Sequence, residues 1–207
     1  MAKWYLVRHG ETTWNATGRI QGHADMPLST LGQRQAHRLA IRLALVDVSA
    51  AFSSDLVRAT ETARIVLQGR PVPTTIMEGL REASHGIWEG LGYDDAQSKY
   101  PEQYGRLLQR DLSVAAPAGE SALDVMGRTK TAVEMILGQS PSRGNLLIVG
   151  HSGGLRAIAV SLLGLPPAAF WSLKLEPASL SIFAVDGDNV ALELWNDVSH
   201  LADLDGD

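Results

Sequence analysis

Cysteine is absent from the 207-residue sequence, so disulfides, thiolate nucleophiles and thiolate metal ligands are excluded as sources of stability or chemistry. An excess of positive charge is absent too. The formal net charge is -5, whereas counterion release on nucleic acid, or attraction to anionic headgroups, needs a basic face. Neither a nucleic-acid nor a membrane partner is expected, and any anion site must be local. No uncharged apolar run is long enough to span a bilayer. Met1-Ala2-Lys3 leads into a short apolar stretch ending at Arg8, without the length of a signal sequence or a following cleavage site. These absences predict a soluble, cytoplasmic protein.

What is present has globular proportions, with 45% hydrophobic and 20% charged residues in a length that suits one domain. Trp4 to Val7 is an apolar run that stops at Arg8-His9-Gly10, the pattern of a buried strand delivering polar side chains to a sheet edge. The plan recurs where Leu146-Leu147-Ile148-Val149 meets the tight turn Gly150-His151-Ser152-Gly153-Gly154. Leu155, Ile158, Ala159, Leu162 and Leu163 then keep helical spacing until Gly164 and Pro166-Pro167 stop it. Leu31 to Leu45 predicts a helix capped by Ser29 or Thr30. Leu56, Ala59, Ala63, Val66 and Leu67 mark another, capped by Ser53 or Ser54, and Met126, Val133, Ile136 and Leu137 a fourth.

Ala50 to Ser53, Thr74 to Met77, Leu180 to Val185 and Ala191 to Trp195 are further strand candidates. The alternation predicts an α/β fold, a mostly parallel central sheet with helices on both faces, built as a single domain over residues 1–207. Residues 83–119 break the rhythm and read as a small inserted cap over the active site, with one helix from Asp94 to Arg110. Ala202 to Asp207 is acidic and is expected to fray.

Ligands of open α/β sheets bind outside the carboxyl ends of strands, so Arg8-His9 and His151 converge on one crevice if their strands are parallel neighbours. A phosphate dianion needs donors around its oxygens, and the guanidinium fork of Arg8 and Arg58 suits it. Arg58 falls in the first turn of its helix, where free N–H groups also favour an anion. A neutral histidine can attack phosphorus with its free ring nitrogen, and a carboxylic acid with a raised pKa can protonate the leaving alkoxide. Glu82 is the candidate acid. Taken singly, each residue has a plainer reading: a hydrogen-bonded strand-end histidine, a surface arginine, half of a solvated ion pair. The constellation is what carries the chemistry.

Leu6-Val7-Arg8-His9-Gly10-Glu11-Thr12 resembles the signature of the histidine phosphatase superfamily, the phosphoglycerate mutase-like proteins. The resemblance continues through Trp14-Asn15, Gly18-Arg19, Gln21-Gly22, Ser53-Ser54-Asp55-Leu56 with Arg58-Ala59, Leu80-Arg81-Glu82, Trp88-Glu89-Gly90, Gly119-Glu120-Ser121 and Val149 to Gly154, spanning nearly the whole chain in order. It implies that His9 is the phosphorylated nucleophile, that Arg8, Asn15, Arg58 and His151 hold the phosphoryl group, and that Glu82 is the proton donor. It further implies substrate contacts from Gln21, Gly22 and Ser152. His85 resembles the corresponding residue of metal-independent phosphoserine phosphatases, where it is suited to engage a substrate carboxylate.

The expected function is hydrolysis of small phosphomonoesters through a phosphohistidine, without metal or cofactor. Phosphoglycerate mutase chemistry on the same phosphohistidine is the alternative, disfavoured because the cap is short and water can reach the intermediate. A non-catalytic phospho-ligand binding module and a metal hydrolase using His9, His85 and His151 are rival classes. Intact His9 and Glu82 speak against the first, and the lack of a paired ligand spacing against the second. Five tryptophans are many for this length and hint at a homodimer.

Overall fold

The computed structural model describes residues 2–139, 144–187, 189–202 and 204. Two strands form its centre, β1 (Ala2–Arg8) and β4 (Asn145–Gly150). Their apolar runs are unbroken because both faces of the sheet are covered, as parallel strands require. Around them lie β2 (Val48–Ser53), β3 (Thr74–Ile76), β5 (Leu180–Asp186) and β6 (Asn189–Asp197), in the order β3-β2-β4-β1-β5-β6. Only β5 runs against the others, pairing antiparallel with both β1 and β6. The sheet is thus mostly parallel, as the alternation of elements predicts.

Helices α1 (Thr13–Ala16), α2 (Thr30–Arg42), α3 (Val57–Val66), α4 (Tyr93–Lys99), α5 (Pro101–Leu108), α6 (Ala122–Gln139) and α7 (Ser152–Leu162) complete the element order. On one face Trp4, Leu6, Leu146 and Ile148 pack against Val133 and Ile136 of α6 and Leu155 and Ile158 of α7. On the other, Tyr5, Val7, Leu147 and Val149 pack against Leu39 of α2 and Ala59, Ala63 and Val66 of α3. Leu6, Leu146, Leu147 and Ile148 are each fully buried, and each contributes about 1.5–3 kcal/mol relative to an exposed side chain. The β1/β4 pair is therefore firmly held, and whatever sits at its carboxyl end inherits that rigidity.

Several local expectations change. Ser29 caps α2 as predicted, accepting from the Gly32 N–H at 3.0 Å, but the helix stops at Arg42 and leaves Leu45 fully exposed. Neither Ser53 nor Ser54 caps α3. Its N-cap is Leu56, without a side-chain bond, and the first helical N–H, that of Val57, donates instead to Asp25 Oδ1 at 2.6 Å. The single helix expected from Asp94 to Arg110 is two, α4 and α5. Pro101 lacks the N–H to continue a helix and forces Tyr100 out of helical geometry, to φ −132°, ψ 56°. Strand β6 extends beyond Ala191 to Trp195 at both ends, and a 3-10 turn at Glu78–Leu80 stands between β3 and Glu82.

Within residues 83–119, Trp88, Ala96, Tyr104 and Ala116 form an apolar cluster of their own with Ile20. Backbone bonds from Ile20 to Leu91 and from Gly90 to Ile20 tie this segment to the loop after α1. Of the tail expected to fray, only Ala202 and Leu204 fall within the described residues. Among these residues, no helix is long and apolar enough to cross a membrane.

Candidate active site

The register of β1 and β4 places Arg8 opposite Gly150, so His9 and His151 leave the sheet side by side. Their rings lie 5.0 Å apart at 56°. Gly10 is required between them and α2, since a Cβ there would sit 2.5 Å from the Gly32 carbonyl oxygen.

The hydrogen bonds of the two imidazoles assign them opposite tautomers. His9 Nδ1 is 2.7 Å from the Gly10 carbonyl oxygen, which can only accept, so Nδ1 holds the proton and Nε2 a lone pair. Arg58 Nε–H, which can only donate, meets His151 Nδ1 at 3.2 Å, so His151 carries its proton on Nε2. That Nε2 is buried and has no partner among the described residues. Burial first, then the charges of Arg58 and Arg8, push His9 well below its ordinary pKa despite the Gly10 carbonyl. Burial and Arg58 do the same to His151. Both rings are held neutral.

Arg58 is 1% exposed and pinned on three sides, with Nη1 donating to Ala24 O at 2.9 Å and Nη2 to Gly22 O at 2.8 Å besides the bond to His151. A guanidinium has five N–H groups, so one remains on each Nη for a ligand. Arg8 Nη1 donates to Leu175 O at 2.6 Å, while its Nε is buried without a partner. Burial lowers both arginines, but they stay charged. Asn15 closes α1 in a capping box with Thr12, which commits its carbonyl oxygen and leaves its NH₂ group for a ligand.

These residues line one cavity of about 520 Å³, shared by Arg8, His9, Asn15, Gln21, Gly22, Arg58, Glu82, His85 and Ser152. His151 is fully buried and not part of the wall. Gln21 is fixed by Thr12, whose hydroxyl donates to its Oε1 at 2.8 Å. Gly22 takes φ +56°, and a side chain there would run into the Glu89 carboxylate. The His85 ring lies in the wall with its pKa lowered by burial, against the pull of Glu82 and Glu89.

Glu82 Oε1 accepts from the N–H of Ala83 and, at the start of α7, of Gly153, each at 2.9 Å. Burial pushes its pKa up, yet the Ala83 N–H, His85, Arg8 and Arg58 together outweigh burial and hold it below the ordinary carboxylate value. The raised pKa expected for a proton donor is therefore not set by the protein's own groups around Glu82.

Sequence reasoning passed over three residues. Arg128 donates to the carbonyls of Gly79, Arg81 and Glu82 at 2.7–3.1 Å while pairing with Glu120, and so fixes the backbone that carries Glu82. Nothing in its position on α6 marks this. Glu89 Oε1 accepts from the N–H of His23 at 2.8 Å and of His85 at 3.0 Å; its place in Trp88-Glu89-Gly90 was the available signal. Arg156 also lines the cavity. By contrast, His37 is exposed, and among the described residues no three His, Asp or Glu side chains group to hold a metal ion, His9, His85 and His151 included.

The family model of the histidine phosphatase superfamily (branch 1) matches residues 4–198. Phosphoglycerate mutase-like protein 4 of Arabidopsis thaliana is 37% identical over 201 residues, covering 95% of this chain and 85% of the relative. Phosphoserine phosphatase 1 of Hydrogenobacter thermophilus is 32% identical over 205 residues, covering 99% and 96%. The solved structure of Bacillus stearothermophilus YhfR superposes with a TM-score of 0.90 at 35% identity, covering 97% of this chain and all of that one. The chain belongs to branch 1 of the histidine phosphatase superfamily.

Proposed function

We propose that the protein is a metal-independent phosphatase of small phosphomonoesters that works through a phosphohistidine on His9. The observation that carries this is the pair of opposite tautomers: a lone pair on His9 Nε2 beside an unpartnered N–H on His151. Arg8, Arg58 and the Asn15 amide take the phosphoryl oxygens, and the two guanidiniums supply the positive field that a metal ion supplies elsewhere.

In the first step His9 Nε2 forms a bond to phosphorus as the P–O bond to the alcohol breaks, with the His151 Nε2–H donating to a phosphoryl oxygen. Glu82 protonates the leaving oxygen. The protein's own groups hold it ionised, but a phosphate dianion held against it by Arg8 and Arg58 raises its pKa, so substrate and proton arrive together. In the second step water attacks phosphorus, Glu82 takes its proton, the P–N bond breaks and inorganic phosphate leaves. Gln21, Gly22, His85 and Ser152 face the alcohol half of the substrate, and residues 83–119 act as the cap above it.

A mutase would pass the same phosphoryl group to a second alcohol. The relatives carry both names, and the short cap, which leaves water a path to the intermediate, favours hydrolysis. The test is a quench of labelled substrate in mid-turnover with parallel assays of phosphate release and 3-phosphoglycerate isomerisation. The expected label is acid-labile, alkali-stable and absent from His9→Ala, with phosphate as the product. Label on serine or aspartate would overturn the mechanism.

A further inference from the structure

Among the described residues one acceptor aims the Arg8 side chain, the Leu175 carbonyl at 2.6 Å, and Arg8 Nε is unpartnered. Arg58 by contrast is pinned on three sides. Leu175 leads into the turn Glu176-Pro177-Ala178-Ser179, which the Ser179 N–H closes on Glu176 O at 3.1 Å. The same turn meets the end of β1 twice more. Arg8 N–H donates to Ser179 O at 3.2 Å, and Ala178 N–H donates to His9 O at 3.0 Å. Its placement therefore sets where the Arg8 guanidinium stands beside His9.

The turn is not held by its own residues. Ala178 takes the second inner position with φ +55° and no exposed surface. Glycine is the usual residue there, because in left-handed backbone a Cβ crowds the following carbonyl oxygen. An alanine stays in that conformation only where its surroundings over-determine it. Two residues from beyond β5 do so. Asn196 of β6 accepts the Glu176 N–H on Oδ1 at 2.7 Å, and its own N–H donates to Ser181 Oγ at 3.0 Å.

His200, in a 3-10 turn at Ser199–Leu201, reaches the Ala178 carbonyl with Nε2 at 3.0 Å. A carbonyl only accepts, so Nε2 carries the proton. His200 Nδ1 is buried without a partner, which leaves the bond to Ala178 to orient the ring. Leu201 beside it packs against the apolar cluster that includes Ala178 and Leu180. His200 itself does not line the cavity.

We propose that His200 is a positioning residue for the phosphoryl pocket: by holding the Ala178 carbonyl it keeps the turn left-handed, and with it the Leu175 carbonyl that aims Arg8. Asn196 is the second strut of the same turn. The assignment rests on Arg8 as a phosphoryl ligand. Without the imidazole, Ala178 loses the bond that offsets its strain, the Leu175 carbonyl shifts, and the free N–H groups of Arg8 no longer converge on the phosphate. Glu82 and the leaving oxygen are untouched by this route.

The experiment sets His200→Leu, which fills the space without a donor, against His200→Gln, whose amide nitrogen can stand where Nε2 does. His200→Leu is expected to lower kcat/KM by about tenfold or more, the scale of a misplaced binding group, and by the same factor on p-nitrophenyl phosphate and glycerol 3-phosphate. His200→Gln should recover most of the loss. In the Arg8→Met protein, His200→Leu should cost less than about twofold more, because the group it positions is gone. A folded His200→Leu protein with kcat/KM within about twofold of wild type would overturn the proposal, as would an undiminished loss in the Arg8→Met background.

Asn196→Gly leaves φ +56° open and removes the second strut. The same uniform loss is expected of it, and it carries the test if His200→Leu does not fold. Affinity for inorganic phosphate, measured by calorimetry, reads the pocket without turnover. It should fall about tenfold in His200→Leu and Asn196→Gly and by little in His200→Gln. Unchanged phosphate affinity in the folded variants would overturn the positioning role. If the wild type hydrolyses no ester, the phosphatase reading fails while this binding comparison still decides whether His200 aims Arg8.

Discussion

Arg58 donates its Nε–H to His151 Nδ1 across 3.2 Å, and that bond fixes which nitrogen of His151 carries a proton. Arg58→Lys keeps a charge in the site but loses this donor and the two-pronged fork. The expected loss in kcat/KM is about 10²- to 10³-fold on p-nitrophenyl phosphate, the scale of removing one preorganised donor. A loss under threefold would mean that the His151 tautomer is set by something other than Arg58.

His9 and His151 make stability depend on pH. Their folded pKa values lie well below the ordinary 6.5, so the unfolded chain binds more protons between the folded and unfolded values, and stability rises with pH there. Their contribution is complete above about pH 6.5 and is lost as pH falls towards the folded values. Tm is therefore expected to drop between about pH 7.5 and pH 5, with a shallower slope in His151→Gln. A flat wild-type profile would show that these histidines are not buried in the neutral form.

Glu82→Gln separates proton donation from positioning, because glutamine can keep the contacts to Ala83 and Gly153 but not release a proton. Hydrolysis of glycerol 3-phosphate should fall by about a hundredfold or more, and that of p-nitrophenyl phosphate, whose leaving group needs no proton, by less than about tenfold. Equal losses would leave Glu82 a structural role only. Glu82 is legible as a candidate from its place after Leu80-Arg81, but its ionised resting state is not. That state is set by the Ala83 N–H, His85, Arg8 and Arg58, three of which reach it from elsewhere in the chain or across a turn.

Exhaustive chelation should leave turnover within a factor of two, and vanadate should inhibit by adopting the five-coordinate geometry of phosphorus in transfer. Arg8, Arg58 and the histidines are the basis for the first expectation. Activity lost to EDTA and restored by one divalent ion would favour a metal hydrolase.

The parts of the fold that depend on chain-local rules could be read from residues alone. An apolar run ending at Arg8-His9-Gly10, and its repeat at His151, located both histidines because a doubly covered strand has to be continuously apolar. Pro101 carries an equally local message, that a helix from Asp94 has to break before it. What stayed hidden depends on partners far apart in sequence. Asp25 meets the start of α3 thirty-two residues later, and Arg128 gathers carbonyls from forty-six to forty-nine residues earlier. Arg156 stands among the apolar positions of α7, and only the packing of that helix brings it to the cavity wall.

One carboxylate couples the entrance of the cavity to its floor. Glu89, from the cap segment, holds the His23 N–H and the His85 N–H on the same oxygen, and the loop that includes His23 also presents the Gly22 and Ala24 carbonyls to Arg58. A displacement of residues 83–119 large enough to admit a bulky alcohol group therefore pulls on the acceptors that aim the guanidinium. Movement of this segment and alignment of the guanidinium are mechanically a single event, so a change in residues 83–119 alters what the cavity does as well as what it admits.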